Sequence, residues 1–151
     1  MLFRSGRLMG KRFDSKFFIK SVLDEGTHAC DYLLGVDIDM EPISGYKITS
    51  WEKGYGDFHL KLDLNTIRIA DWLYKTAIIL CDLEKNHNPV NASPREILKK
   101  QIKIAEEKGY KIKLASELEF YVFDNSYQEA KEKSYIGLNP SNRFREDYSL
   151  L

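Results

Sequence analysis

Residues 93 to 124 constrain the fold most, because they join the sharpest helix pattern in the chain to its longest strand pattern. Ser93 stands where a helix cap belongs, Pro94 suits the first helical position, and Glu96 completes an S-x-x-E capping box. Leu98, Ile102 and Ala105 follow as an apolar stripe with Ile97 and Ile104 beside it, and Gly109 is a natural stop. From Lys111 to Asp124 the period changes to two. The even positions from Ile112 to Val122 are apolar except Ser116, which predicts a strand with one buried face. A lone helix and strand cannot bury a core, so this stretch must belong to a larger layered arrangement.

The other face of that predicted strand carries Glu117, Glu119, Tyr121 and Phe123. Carboxylates two apart on a strand lie about 7 Å from each other. At an effective dielectric near 20 they repel by about 2 kcal/mol. Either water or a cation must offset that repulsion. Carboxylates are hard oxygen donors suited to Mg²⁺ or Mn²⁺, so a divalent metal site is one reading. An E-x-E on a solvated strand face is the plainer one. The aromatic neighbours argue against a face simply open to water.

Before Ser93 the chain reads as a small β-rich unit with one helix. Residues 4–7 suggest a turn and residues 7–13 a strand. A short helix is expected from Ser15 to Glu25, ending at Gly26. In "ACDYLLGVDIDMEP" the first half is apolar, and Asp37, Asp39 and Glu41 alternate in the second. That alternation fits a water-exposed acidic loop better than a metal site. In "DFHLKLD", Phe58, Leu60 and Leu62 share one face, and Asp57, His59, Lys61 and Asp63 share the other. "TIRIA" predicts a second short strand, and "TAIILC" a strand buried on both faces. A polar loop is expected over 84–92, and a short helix near Tyr127 to Lys133. Asp57 follows the permissive "GYG", where a turn residue is the usual occupant.

Composition narrows the function classes. Of 151 residues, 23 are Lys or Arg and 23 are Asp or Glu, so no charge excess invites nucleic acid or an anionic membrane surface. No apolar run is long enough for a signal peptide or a membrane span. Cys30 and Cys81 fit no metal-ligand spacing; buried thiols of a reducing, cytoplasmic setting are the favoured reading, and a disulfide between them is the alternative. There is no glycine-rich phosphate loop, no G-x-S-x-G and no catalytic cysteine context. His28 and His87 have no partners at ligand spacing, and His59 reads as exposed polar surface.

The segments "GRLMGKRF", "HACDYLLGVDIDMEP", "WEKGYGDFHLKLDLNT", "WLYKTAIILCDL", "SPREILKKQ" and "ASELEFYVFDNSY" occur in the order seen at the start of the glutamine synthetase family. The chain resembles that family over nearly its whole length. The "SPR" helix start and the E-x-E-F-[YF]-x-F-D strand after it are the most specific elements. "CDYLLGVDIDMEP" looks closest to the branch containing γ-glutamylpolyamine and γ-glutamylmethylamide synthetases. The resemblance implies an α+β fold. Residues 1–92 would be a β-grasp domain lacking its first strand, and residues 93–151 the truncated start of the catalytic domain, with its first helix and strand.

The resemblance also implies an ATP-dependent ligase that joins ammonia or an amine to the γ-carboxyl of glutamate through a γ-glutamyl phosphate. Glu117 and Glu119 would be ligands of Mg²⁺ or Mn²⁺. Asp57 would bind the ammonium and take its proton. The full-length form would be a homo-oligomeric ring, with the β-grasp domain of one subunit closing the active site of the next. The family's other metal glutamates, its glutamate and ATP motifs and an essential arginine lie beyond the E-x-E strand. The resemblance therefore implies an N-terminal fragment, inactive by itself, with an exposed apolar face over 112–122. A non-catalytic β-grasp assembly or binding module is the alternative; retention of both Glu117 and Glu119 disfavours it.

Overall fold

A computed structural model describes residues 8–37, 39–142 and 144. The chain divides into two compact units, residues 1–112 and 113–151. The expected turn over 4–7 lies outside the described residues. The strand expected over 7–13 is not formed where it is described, for residues 9–14 carry no regular structure.

The first helix runs as expected from residue 15 to residue 25, with a wider π-type stretch at Phe18–Val22 between short α-turns. Asp14 starts it by accepting hydrogen bonds from the N–H groups of Lys16 (3.0 Å) and Phe17 (3.1 Å). Gly26 ends it with φ at +70°. A Cβ there would lie 2.5 Å from His59 Nε2 and 2.7 Å from the Leu60 carbonyl oxygen, so only glycine fits.

Among the described residues four strands follow as an antiparallel meander in the order β1-β2-β3-β4: Thr27–Cys30, Asp57–Ile69, Ala77–Lys85 and Asn88–Pro89. The two strands expected over 57–63 and 66–70 are one long strand, Asp57–Ile69. Its register slips between Asp63 and Arg68. There the Thr66 hydroxyl donates to the Asp63 carbonyl (2.6 Å) and accepts from the Leu80 N–H (2.8 Å), keeping the ladder satisfied across the irregularity. β3 also runs past its expected end at Cys81, through Lys85. Asn86 and His87, both at positive φ, then make a two-residue hairpin. The apolar run in β3 is not buried on both faces. Ile78 to Asp82 are half-buried and only Leu83 is fully covered, because the sheet is antiparallel and one-sided.

Phe58, Leu60, Leu83, Ala29 and Val90 form the core of this unit, with Leu33, Leu34, Ile48 and Cys81 against it. Ala29 pairs with Phe58, and Leu60 with Leu83, so the period-two pattern of β2 sets the inward face as the sequence indicates.

The helix Pro94–Glu107 belongs to this same compact unit and is tied to the sheet by charge. The Arg95 guanidinium bridges two strands, donating from Nε to Asp82 at 2.9 Å and from Nη2 to Asp63. Lys99, one turn on, donates to the other Asp82 oxygen. The capping box expected at Ser93 and Glu96 does not form. The Ser93 N–H is already bonded to the Val90 carbonyl (2.8 Å), so Glu96 has no free cap N–H to reach back to.

In the second unit the helix Tyr127–Glu132 carries a complete capping box. Ser126 N–H donates to Glu129 at 2.8 Å, and Glu129 N–H donates to Ser126 Oγ at 3.2 Å. Asp124 N–H bonds the Asn139 carbonyl, and Ser141 bonds the Val122 carbonyl, closing the loop around that helix.

Burial pushes the Asp82 carboxyl up, but Lys99 and Arg95 outweigh it and hold it below the usual carboxylate range. A depressed carboxyl contributes stability above its unfolded value and loses it as pH falls through its folded value. Asp82→Asn is therefore expected to cost about 1–3 kcal/mol at neutral pH. The deficit relative to the parent should shrink progressively as pH falls below about 4, towards the depressed folded value. Thermal melts of both proteins from pH 7 to pH 3 check this; a constant difference across that range would contradict it.

Candidate functional site

Asp57 opens β2 with an exposed side chain, its backbone paired with Cys30 of β1. Its side chain has no hydrogen-bond or ion-pair partner among the described residues. The segment in front of it is tightly held. The Asp31 N–H donates to the Gly56 carbonyl at 2.8 Å. The Asp31 carboxylate, 2% exposed, accepts from Lys85 Nζ at 2.7 Å and from Thr49 Oγ1 at 3.1 Å. No sequence pattern marks Asp31. Its one available signal is an acid between Cys30 and the apolar "YLL", a place where a charge must find a partner or stay out of the core.

An edge-to-face aromatic series runs beside this segment. Tyr55 meets Tyr32 at 6.1 Å and Trp51 at 6.0 Å between ring centroids. His59 proves half-buried rather than exposed, with Nε2 2.8 Å from the Glu25 carbonyl at the end of the first helix. Asp37 is a loop organiser: its carboxylate accepts from the N–H groups of Asp39 (2.8 Å) and Glu41 (3.0 Å). Cys30 and Cys81 are free thiols, and burial pushes the Cys81 thiol up, which makes it less reactive.

Glu117 and Glu119 lie in the second unit, in a segment that departs from expectation. The strand read over 111–124 is absent, and residues 111–122 carry no regular structure. A strand needs a neighbour for its N–H and C=O groups, and among the described residues only an isolated bridge from Phe123 to Pro140 supplies one. The apolar positions lie open, as expected; Leu118 is 84% and Phe120 79% exposed.

Both glutamates are exposed, with no cation or donor against them among the described residues. No group of three or more His, Cys, Asp or Glu side chains capable of holding a metal converges among the described residues. Two unneutralised carboxylates nonetheless fit Mg²⁺ or Mn²⁺ by donor chemistry, as part of a ligand set. An ion that takes about six oxygens would need the remainder from other groups or water. No helix among the described residues is long and apolar enough to cross a membrane.

Comparison with known proteins places these features in context. Residues 91–149 match the family model for the glutamine synthetase catalytic domain. The chain is 44% identical over 147 residues to a γ-glutamylethanolamide synthetase of Streptomyces coelicolor, covering 97% of this chain and 32% of that protein. It is 35% identical over 143 residues to a glutamate–isopropylamine ligase of a Pseudomonas species, covering 94% and 31%. It is 30% identical over 147 residues to type-1 glutamine synthetase 2 of Dictyostelium discoideum, covering 97% and 28%. The chain thus spans about a third of the length of these curated relatives. No solved structure matches it significantly.

The open backbone of the Glu117–Glu119 segment has a measurable signature. Amides of residues 112–121 are expected to exchange with solvent within seconds in this chain, whereas those of Leu60 and Leu83 stay protected. Hydrogen exchange read by mass spectrometry separates the two; protection across 112–121 would mean a strand partner does exist.

Proposed function

The chain belongs to the glutamine synthetase family, and on that premise we propose that the protein is an ATP-dependent ligase. Ammonia or an amine is joined to the γ-carboxyl of glutamate by way of a γ-glutamyl phosphate. The observation that carries the reading is the pair Glu117 and Glu119, two unpartnered carboxylates inside the stretch matched to the catalytic domain. An amine acceptor is favoured over ammonia. Two relatives named for amine acceptors share 44% and 35% identity with the chain, against 30% for the Dictyostelium glutamine synthetase.

In this reading Glu117 and Glu119 hold Mg²⁺ or Mn²⁺, donating carboxylate oxygens. The bound ion supplies electrostatic stabilisation for the charge that gathers on phosphoryl oxygens. Asp57 receives the ammonium form of the nucleophile and takes its proton, leaving the amine lone pair free for the γ-glutamyl carbonyl. Its exposure suits contact with a partner molecule rather than a role in the fold. The meander and first helix would constitute the β-grasp domain, up to Ala92, and Ser93 would begin the catalytic domain. The helix Pro94–Glu107 would join the two through Arg95. The working form would be a homo-oligomeric ring in the cytoplasm, with the β-grasp domain of one subunit covering the active site of the next.

The test is an assay of the protein in its native assembly with ATP, glutamate and, in turn, ammonia, ethanolamine and isopropylamine. Phosphate release should require an acceptor, and mass spectrometry should detect the γ-glutamyl amide. Glu117→Gln and Glu119→Gln should each lower turnover by about a hundredfold or more. ATP hydrolysis indifferent to all three acceptors, with no amide formed, would overturn the proposal.

A further inference from the structure

Asp57 has an exposed carboxylate and no side-chain partner among the described residues, so the fold positions it only through the backbone that carries its Cα–Cβ bond. That backbone is fixed by a buried polar group. Gly56, the residue before Asp57, accepts the Asp31 N–H at 2.8 Å. A Cβ placed on Gly56 would come within 3.5 Å of Asp31 Oδ2 and 3.6 Å of Lys85 Nζ, so the Gly56 backbone rests against the ion pair itself. Phe58, the residue after Asp57, has its ring centroid 5.9 Å from the same Lys85 ammonium. Cys30, next to Asp31, pairs with Asp57 across the sheet.

The group draws together parts of the chain that are far apart in sequence. Asp31 follows β1, Lys85 ends β3 fifty-four residues later, and Thr49 precedes the loop that leads into β2. A buried carboxylate is costly to desolvate, and apolar residues of similar volume often serve stability as well or better. What apolar packing lacks is direction. Hydrogen bonds at 2.7 and 3.1 Å to one carboxylate, and a third from its own N–H, fix an orientation as well as a distance.

We propose that Asp31, Lys85 and Thr49 are positioning residues that clamp the Gly56–Asp57 corner and so aim the Asp57 carboxylate at the incoming amine; this rests on the reading of Asp57 given above. The clamp acts through Asp57 alone. Loosening it should harm use of the amine and leave use of ATP and glutamate as it was.

The experiment compares Asp57→Asn, Lys85→Met, Lys85→Arg and the Asp57→Asn/Lys85→Met double variant in the native assembly. Folding of each is checked first by the amide spectrum of the core residues Leu60 and Leu83. Asp57→Asn should lower kcat/KM for the amine by about a hundredfold. Lys85→Met should lower it by about tenfold, with KM for ATP and glutamate unchanged, and Lys85→Arg should restore most of the loss. The double variant should be no worse than Asp57→Asn. A folded Lys85→Met protein with parental amine kinetics beside a crippled Asp57→Asn would overturn the clamp. So would a double variant whose losses multiply, or a Lys85→Met protein impaired equally toward all three substrates. A silent Asp57→Asn would instead overturn the role given to Asp57, and the clamp's catalytic purpose with it.

Discussion

The core, the helix anchor and the polar clamp of the first unit all depend on the ladder between β2 and β3. It brings Phe58 and Leu60 over Leu83, which makes the core. It sets Asp63 and Asp82 close enough for one guanidinium to reach both, which docks the helix Pro94–Glu107. It also carries Lys85 to the far end of the sheet, where the ammonium meets Asp31 and steadies the approach to Asp57. One pairing thus supplies the apolar layer, the helix anchor and the polar clamp.

The helix anchor is unusual in its chemistry. Arg95 and Lys99 face the sheet, while Ile97, Leu98 and Ile102 of the same helix stay substantially exposed. Helices of small domains more often dock through their apolar stripe. Here two carboxylates on neighbouring strands would repel across the sheet without a cation between them, and the docked arginine removes that repulsion. The serine, proline and arginine of "SPR" therefore do separate things. Ser93 closes the preceding turn through its N–H, Pro94 occupies a helical position that needs no donor, and Arg95 ties the helix to both strands.

What could be read from the sequence was what local pattern decides. The first helix and its glycine stop, the inward face of β2 and the short helix after Ser126 all follow from period, caps and steric permission within a few residues. What could not be read depended on distant partners. The sequence pattern ends β3 at Cys81 because Glu84 and Lys85 look like loop residues. They are strand residues whose charges are met by Lys61 and Asp31, far away in sequence. The same S-x-x-E pattern occurs at Ser93 and Ser126, and only the second forms a box. At Ser93 the cap N–H was already taken by Val90, which no local pattern announces. The alternation over 112–122 is strand-like, but a strand is a relation between two segments, and here the second is missing among the described residues. For the candidate site, Glu117, Glu119 and Asp57 were legible as residue types, and Asp31 was not, since a single buried acid carries no spacing to notice.

On the proposed function, the paired carboxylates Glu117 and Glu119 hold a divalent cation. Titrating the protein in its native assembly with Mn²⁺, and following the free ion by electron paramagnetic resonance, tests it most directly. Binding should be saturable and should weaken by about tenfold or more in both Glu117→Gln and Glu119→Gln. The double variant should lose more affinity than either single change, since each carboxylate contributes its own oxygens to the ligand set. Unaltered Mn²⁺ affinity in the double variant would contradict the claim and leave Glu117 and Glu119 as surface charges.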